Sequence, residues 1–308
     1  MSQAVITVLI AMLGGASRVS TPHIFVALGE CLTEKFGRVN RGLEGTLVLG
    51  ATVAYAASYH TGSPWIGVIA AGVAGSILGA MHGSICGLPR VNDVAVGIAT
   101  MLFWVGVAFF FGKPYIQPTA SRLGSIPLGF WSDSASLKSA LQVNPLFFVG
   151  IARLRLCSPG RCDTPAGVSS CARSAMGISV NGVRLLTTTA GGFLAGVGGA
   201  FLSLSYPGSW NQGLSPGQGL MAVALVIFAR WNPLRCVAAA LLFGGACANG
   251  SSLQSIGVTQ GYYFFQCGAL HLDPRHHDRD FQRQALSPRY AGRIVDGQVR
   301  SAFADIPR

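Results

Sequence analysis

Three histidines and three aspartates crowd into HLDPRHHDRD, residues 271–280, a composition able to ligate a metal through imidazole and carboxylate groups. His271, His276 and His277 would be the ligands, but a polar, disordered tail with no metal is the preferred reading. The eight cysteines show neither disulfide nor zinc-finger spacing. Cys31, Cys86, Cys236 and Cys247 fall in or beside apolar runs and read as small hydrophobes. Cys157, Cys162 and Cys171 lie in a stretch rich in arginine, serine and proline. His82-Gly83-Ser84 lacks the Gly-x-Ser-Gly pattern and later histidine of an intramembrane serine protease. Gly106 and Gly112 are one residue too far apart for a phosphate-binding loop, and Lys113 is followed by Pro114 where such a loop carries Ser or Thr. What remains are polar and aromatic side chains beside apolar runs. Asn92 and Asp93 open an apolar run, where Asp93 reads either as a pathway acid or as the helix cap, two compatible roles. Tyr206, Trp210, Asn211 and Gln212 combine aromatic surface with amide hydrogen-bonding groups, either to recognise a small polar molecule or as an interfacial belt would. Glu44 is expected to form a structural ion pair with Arg41.

The elements that must position these groups are membrane helices. Half of the residues are hydrophobic and only 11% are charged, against about a quarter in soluble domains, and the mean hydropathy is +0.48. Apolar segments fall at 3–15, 20–33, 43–59, 65–86, 94–112, 185–206, 217–229 and 233–252. The expected fold is all-α: a polytopic helical membrane bundle with roughly eight apolar segments. The segment 217–229 is too short to cross before Pro233 and reads as a half-helix, which must line a cavity or pack within protein. Gly75, Gly79 and Gly83 are spaced by four, as are Gly192 and Gly196, the small-xxx-small spacing of close-packed membrane helices. MSQAVITVLIAMLGG has no basic leader or cleavage site and reads as a retained first helix.

The net charge of +11 is spread over short loops. A nucleic-acid binder would gather it in a patch. Lys35, Arg38, Arg41, Arg90, Arg184, Arg230 and Arg235 instead mark inside turns, which leaves 60–64, 113–145 and 206–216 outside. The two halves agree only if one more span lies between 145 and 175. NPLFFVGIA starts one, but Arg153, Arg155 and Arg161 follow, each costing about 2.5–3.5 kcal/mol at the centre of a span.

Four stretches carry a resemblance. LGECLTEKFGRVNRGLEGTLVLGA (28–51), VNDVAVGIATMLFWVG (91–106), AMGISVNGVRLLTTTAGGFLAGVGGAFLSL (175–204) and the continuation through 206–246 resemble binding-protein-dependent ABC transporter permeases of the simple sugar and nucleoside branch. The resemblance implies a non-enzymatic, cofactor-free subunit working by alternating access in a bacterial inner membrane. It also implies a separate ATPase, a second permease subunit and an external substrate-binding protein. Met176, Gly177, Ile178 and Arg184 then stand at the ATPase-coupling region. The family's Asn-Pro-Ala-Ala-like coupling run is missing before Met176, and its closing span is missing after GYYFFQ.

The genetic code suggests why. Read one nucleotide later, the codons of HLDPRHHDRDF permit TWTLVIMIAT, an apolar stretch where a span is wanted, although His and Asp codons shift to Thr or Ile codons in any context. The six charges from Asp273 to Arg283 would themselves cost on the order of 15–20 kcal/mol in hydrocarbon. The expectation is therefore a permease domain over 1–266 and a polar tail over 267–308, with 152–174 and the tail as frame excursions. The competing readings are a frameshift-damaged, inactive permease and an unrelated channel or secondary transporter. The last needs coupling charges within its spans, for which Asp93 is the one candidate.

Overall fold

A backbone in hydrocarbon has no water to bond, so long apolar runs close their hydrogen bonds within helices. The computed structural model describes residues 2–116, 118–127, 142–156, 179–205, 208–215 and 217–255, and over these the chain is helical. The helices are α1 (Ser2–Lys35), α2 (Leu43–Thr61), α3 (Pro64–Cys86), α4 (Asp93–Gly112), α5 (Pro145–Leu156), α6 (Val180–Leu204), α7 (Gln218–Phe228) and α8 (Pro233–Ser255). A two-residue ribbon pairs Ile126 with Val143 and Pro127 with Gln142. Among the described residues, α3, α4 with the turn after it, and α6 are long and apolar enough to cross a bilayer.

The two expected segments 3–15 and 20–33 are one helix. Gly14 and Gly15 do not end it, because the hydroxyls that follow bond back into it: Ser17 Oγ donates to the Gly14 carbonyl (2.8 Å) and Thr21 Oγ1 to that of Ser17 (2.6 Å). These bonds satisfy side chains that would otherwise compete with the backbone. Pro22 is accommodated inside the same helix. The half-helix expected at 217–229 is present as α7, with 11 residues. Where a further span is wanted after 145, α5 runs for 12 residues, about 18 Å at 1.5 Å per residue. That is well short of a bilayer.

The helix α6 is central, packing on α1, α2 and α3, while α8 lies along α1 and α4 along α2. In the span windows α6 is 67% buried and α4 only 11%. The predicted glycine series meet each other. A side chain at Gly75 would run into the Gly192 carbonyl, and one at Gly79 into that of Thr188. On the second face of α6, a Cβ at Gly50 would come within 2.9 Å of Gly196 Cα. Helices approach this closely only where side chains are absent. The outward faces of α3 and α4 expose Ile69, Ile77, Leu102, Phe103, Phe110 and Phe111, as a lipid-facing surface does.

The basic turns gather at one end. Arg184 Nε in the first turn of α6 donates to the Phe36 carbonyl after α1 (3.3 Å), and Arg38 bonds Asp93 at the start of α4. At the opposite end the stretch after α4 is fastened to the bundle by backbone bonds that no periodicity foretells. Tyr55 Oη donates to the Pro118 carbonyl (2.8 Å), Ser58 Oγ to that of Ser121 (2.8 Å), and the Leu123 N–H to that of Leu204 (3.0 Å).

Candidate functional site

The break in the bundle is α7. Its approach begins at Trp210, which is 1% exposed and lies against Gly112 at the end of α4. Five residues later Ser215 is bonded to Glu44, in the first turn of α2. Depth along α4 shows what this means. Gly45 packs on Met101 and Trp104, eight residues or about 12 Å inside α4 from Asp93, whereas Trp210 lies a further 16 Å or so along, at Gly112. The segment 210–215 therefore descends from the end of the bundle to its interior, and α7 starts there.

Glu44 receives the broken end. Its carboxylate accepts from Ser215 Oγ (3.0 Å), the Gly217 N–H (3.1 Å) and the Gly219 N–H (2.5 Å). A helix N-terminus presents unpaired N–H groups and partial positive charge, so a carboxylate there is stabilised on both counts. Gly217 turns the chain with φ +74°, which favours glycine, and Gly219 lets the backbones touch: a Cβ on it would lie 2.5 Å from Glu44 N. The expected Glu44–Arg41 ion pair is thus replaced. Glu44 faces inward toward α7, and among the described residues no ion pair joins it to Arg41.

The other end of α7 reverses through Arg230 and Trp231, both in left-handed backbone (φ 53° and 54°). The reversal is held by bonds to α1. Cys31 Sγ donates to the Trp231 carbonyl (3.1 Å) and Trp231 Nε1 to Glu34 Oε2. Asn232 Oδ1 then accepts from the Leu234 N–H (3.0 Å) as the cap of α8, with Pro233 at its first position.

The predicted pathway residues do not form one site. Asn92, rather than Asp93, caps α4, accepting from the Val94 N–H (2.9 Å) and the Ala95 N–H (3.4 Å). Asp93 is thereby the first helical residue and is free to bond Arg38 Nη1 at 2.9 Å, joining α4 to the turn after α1. Trp210 is no interfacial ring but a buried one, and its indole N–H has no partner among the described residues. Asn211 and Gln212 are exposed beside it, and Asn211 Oδ1 accepts from the Gly213 N–H (3.0 Å). Asn92 and Asp93 lie at one end of α4 and Trp210 at the other, about 28 Å apart by helix length. Tyr206 and the coupling candidates Met176, Gly177 and Ile178 lie outside the described residues, as do residues 157–178 and 256–308 as a whole. Arg184 is the described coupling candidate, and it bonds the turn after α1. Glu44, read from the sequence as a structural partner of Arg41, is the residue whose contacts the sequence did not foretell. Its signal was an acid at the start of an apolar run, and the structure shows it answered far along the chain by the N–H groups of Gly217 and Gly219 in SPGQG.

Known proteins give the same bundle a context. A Haloferax volcanii protein named as a candidate glucose ABC transporter permease is 31% identical over 248 residues, covering 76% of this chain and 74% of its own. The guanosine ABC transporter permease NupQ of Bacillus subtilis is 28% identical over 249 residues, with 74% and 77% coverage. The nucleoside ABC transporter permease NupC of Lactococcus lactis is 24% identical over 253 residues, with 73% and 77% coverage. No solved structure matches the chain significantly. The family described as branched-chain amino acid transport system / permease component matches residues 11–266. With most of its length so matched and its helices built for a bilayer, the chain belongs to that permease family, as a multi-pass membrane transport component without enzymatic chemistry of its own.

Proposed function

We propose that the chain is the membrane subunit of an ABC importer for a nucleoside or simple sugar. It would pass substrate by alternating access while a separate ATPase supplies the energy. The observation that carries the reading is the half-helix α7, whose N-terminus begins inside the bundle, as the broken helices of transporters do where substrate passes. The named substrates of the relatives, glucose, guanosine and nucleosides, support the substrate class. The descending segment with Trp210, Asn211 and Gln212, and Tyr206 just before it, would supply stacking surface and amide groups along that route. Asn92 and Asp93, about 28 Å away, would serve the opposite mouth.

The partners follow from the class: an ATPase, a second permease subunit of the same or a related kind, and an external binding protein. The basic end of the bundle, with Arg38, Arg184 and Arg235, would face the cytoplasm and the ATPase in a bacterial inner membrane or equivalent plasma membrane. Met176, Gly177 and Ile178 come shortly before α6 in the chain and would form part of the docking region. The permease domain would close near residue 266, where the family match ends. Residues 267–308 would be an appended tail, and the anomalous composition of 152–174 a local departure from the family's coupling element.

Uptake tests this directly. Deletion of the gene from its own host should abolish ATP-dependent uptake of radiolabelled guanosine or glucose, and the gene supplied in trans should restore it. Unchanged uptake of both would remove the substrate assignment. Failure of the intact gene to restore a lost uptake would favour a damaged product.

A further inference from the structure

We propose that Glu44 is a positioning residue of the pathway: its carboxylate clasps the N-terminal end of α7 inside the bundle, and the strength of that clasp sets how readily the route opens at this level. The inference rests on the transport reading above, but its geometry stands apart from any substrate. Glu44 is 7% exposed, and the other residues of its helix's first turn, Leu43, Gly45 and Thr46, carry no charge. Ser215, Gly217 and Gly219 donate to its two oxygens from some 171–175 positions away. The carboxylate thus fixes a tertiary junction. Its partners are the free N–H groups that a helix begun inside a bilayer must satisfy.

The same junction is the hinge of the descending segment. Ser215 and Gly217 lie just before α7 and Gly219 is its second residue, so the clasp grips the start of the helix itself. The surroundings suit release. Gly217 carries no side chain to obstruct rotation, and a Cβ on it would meet nothing within 4 Å. Leu214, immediately before the clasp, is buried against the core when the clasp is closed. If α7 moves during transport, the bonds to Glu44 must break, and Leu214 must lose its cover. At the far end α7 is held by the Trp231 contacts to Cys31 and Glu34, so the movement available is a tilt about that reversal. A charged acceptor makes the closed state firm; a neutral one would loosen it.

The test uses the full chain in membranes with its transporter partners. A cysteine is placed at Leu214 (L214C), and its reaction with a membrane-impermeant maleimide is compared with the same chain lacking it, which corrects for the native cysteines. The rate should rise at least about fivefold in Glu44→Gln and fall back toward the parent in Glu44→Asp, because the charge-assisted bonds are weakened and then partly remade. Ser215→Ala, which removes one donor and leaves the carboxylate in place, should raise the rate by about twofold. It decides the matter if Glu44→Gln does not accumulate. A control cysteine at Trp65, on the exposed start of α3, should label alike in every background. Uptake per folded permease in the membrane should show a lower maximal rate in Glu44→Gln with an unchanged KM, because a closed state that is not held firm completes fewer cycles, and recovery in Glu44→Asp. Equal L214C labelling in the parent, Glu44→Gln and Ser215→Ala overturns the proposal, as does a rise in KM with an unchanged maximal rate. The labelling needs no substrate. It therefore decides the clasp even where guanosine and glucose uptake is absent, the result that counts against the transport reading alone.

Discussion

A single side chain here is defined by what meets it from elsewhere in the chain. Asp93 looked like a cap because it stands first in a helix, yet the residue before it has the better geometry. An N-cap has extended backbone and a side-chain oxygen aimed at the next amides, and Asn92 meets both conditions. Asp93 is then available to Arg38, and both side chains of that pair are largely buried, at 19% and 12% exposure. Removing one partner leaves the other uncompensated, so Asp93→Asn should lower stability by roughly 2 kcal/mol, between the values for exposed and fully buried pairs. Thermal unfolding of the solubilised protein measures this, and an unchanged midpoint would mean that water already screens the pair. Trp210 shows the same dependence on context. Trp210→Ala empties the volume beside Gly112 and should cost about 3–5 kcal/mol. A measured loss under 1 kcal/mol would place the ring in a wet pocket instead.

Among elements, the seam between α3 and α6 is where spacing became contact. The four-residue glycine spacing was legible as a close-packing surface, but which series meets which was not, since any two such faces satisfy the pattern. Gly192→Leu should prevent α3 and α6 from approaching and should remove the folded protein from the membrane fraction. Gly106→Ala, in α4 where a Cβ would meet nothing within 4 Å, should instead gain about 0.5–1 kcal/mol from the helix. Immunoblotting of membranes and thermal unfolding distinguish the two, and equal accumulation of Gly192→Leu and the parent would break the assignment of the seam. The half-helix was legible from length alone, because an apolar run stopped by proline after so few residues cannot cross. The fusion of the first two segments into α1 was not legible: glycines next to serine and threonine look like a loop until the hydroxyls find carbonyls one turn back.

For the whole molecule, charge decides orientation and apolar surface decides what surrounds it. The basic turns at Arg38, Arg90 and Arg184 share one end with the reversal at Arg230. A phosphatase reporter fused after Gly62 should therefore be active on the external side, and one fused after Arg90 inactive, by the positive-inside rule. The reverse pattern would invert the bundle and with it the proposed ATPase face. The lipid-facing character of α3 and α4 and the burial of α6 follow from the same arrangement: the helix with small residues on two faces is the one that can be surrounded.

The sequence by itself determined the class of this protein. Low charge, long apolar runs, scattered basic turns and four family-like stretches specify a helical permease, because hydrocarbon admits few other ways to satisfy a backbone. Tertiary structure alone decided how its polar residues are used. Glu44 and SPGQG, Arg38 and Asp93, and Trp210 and Gly112 are each far apart in the chain. Whether an acid pairs with a neighbouring arginine or with the open end of a distant helix depends on which backbones the packing brings within hydrogen-bond reach.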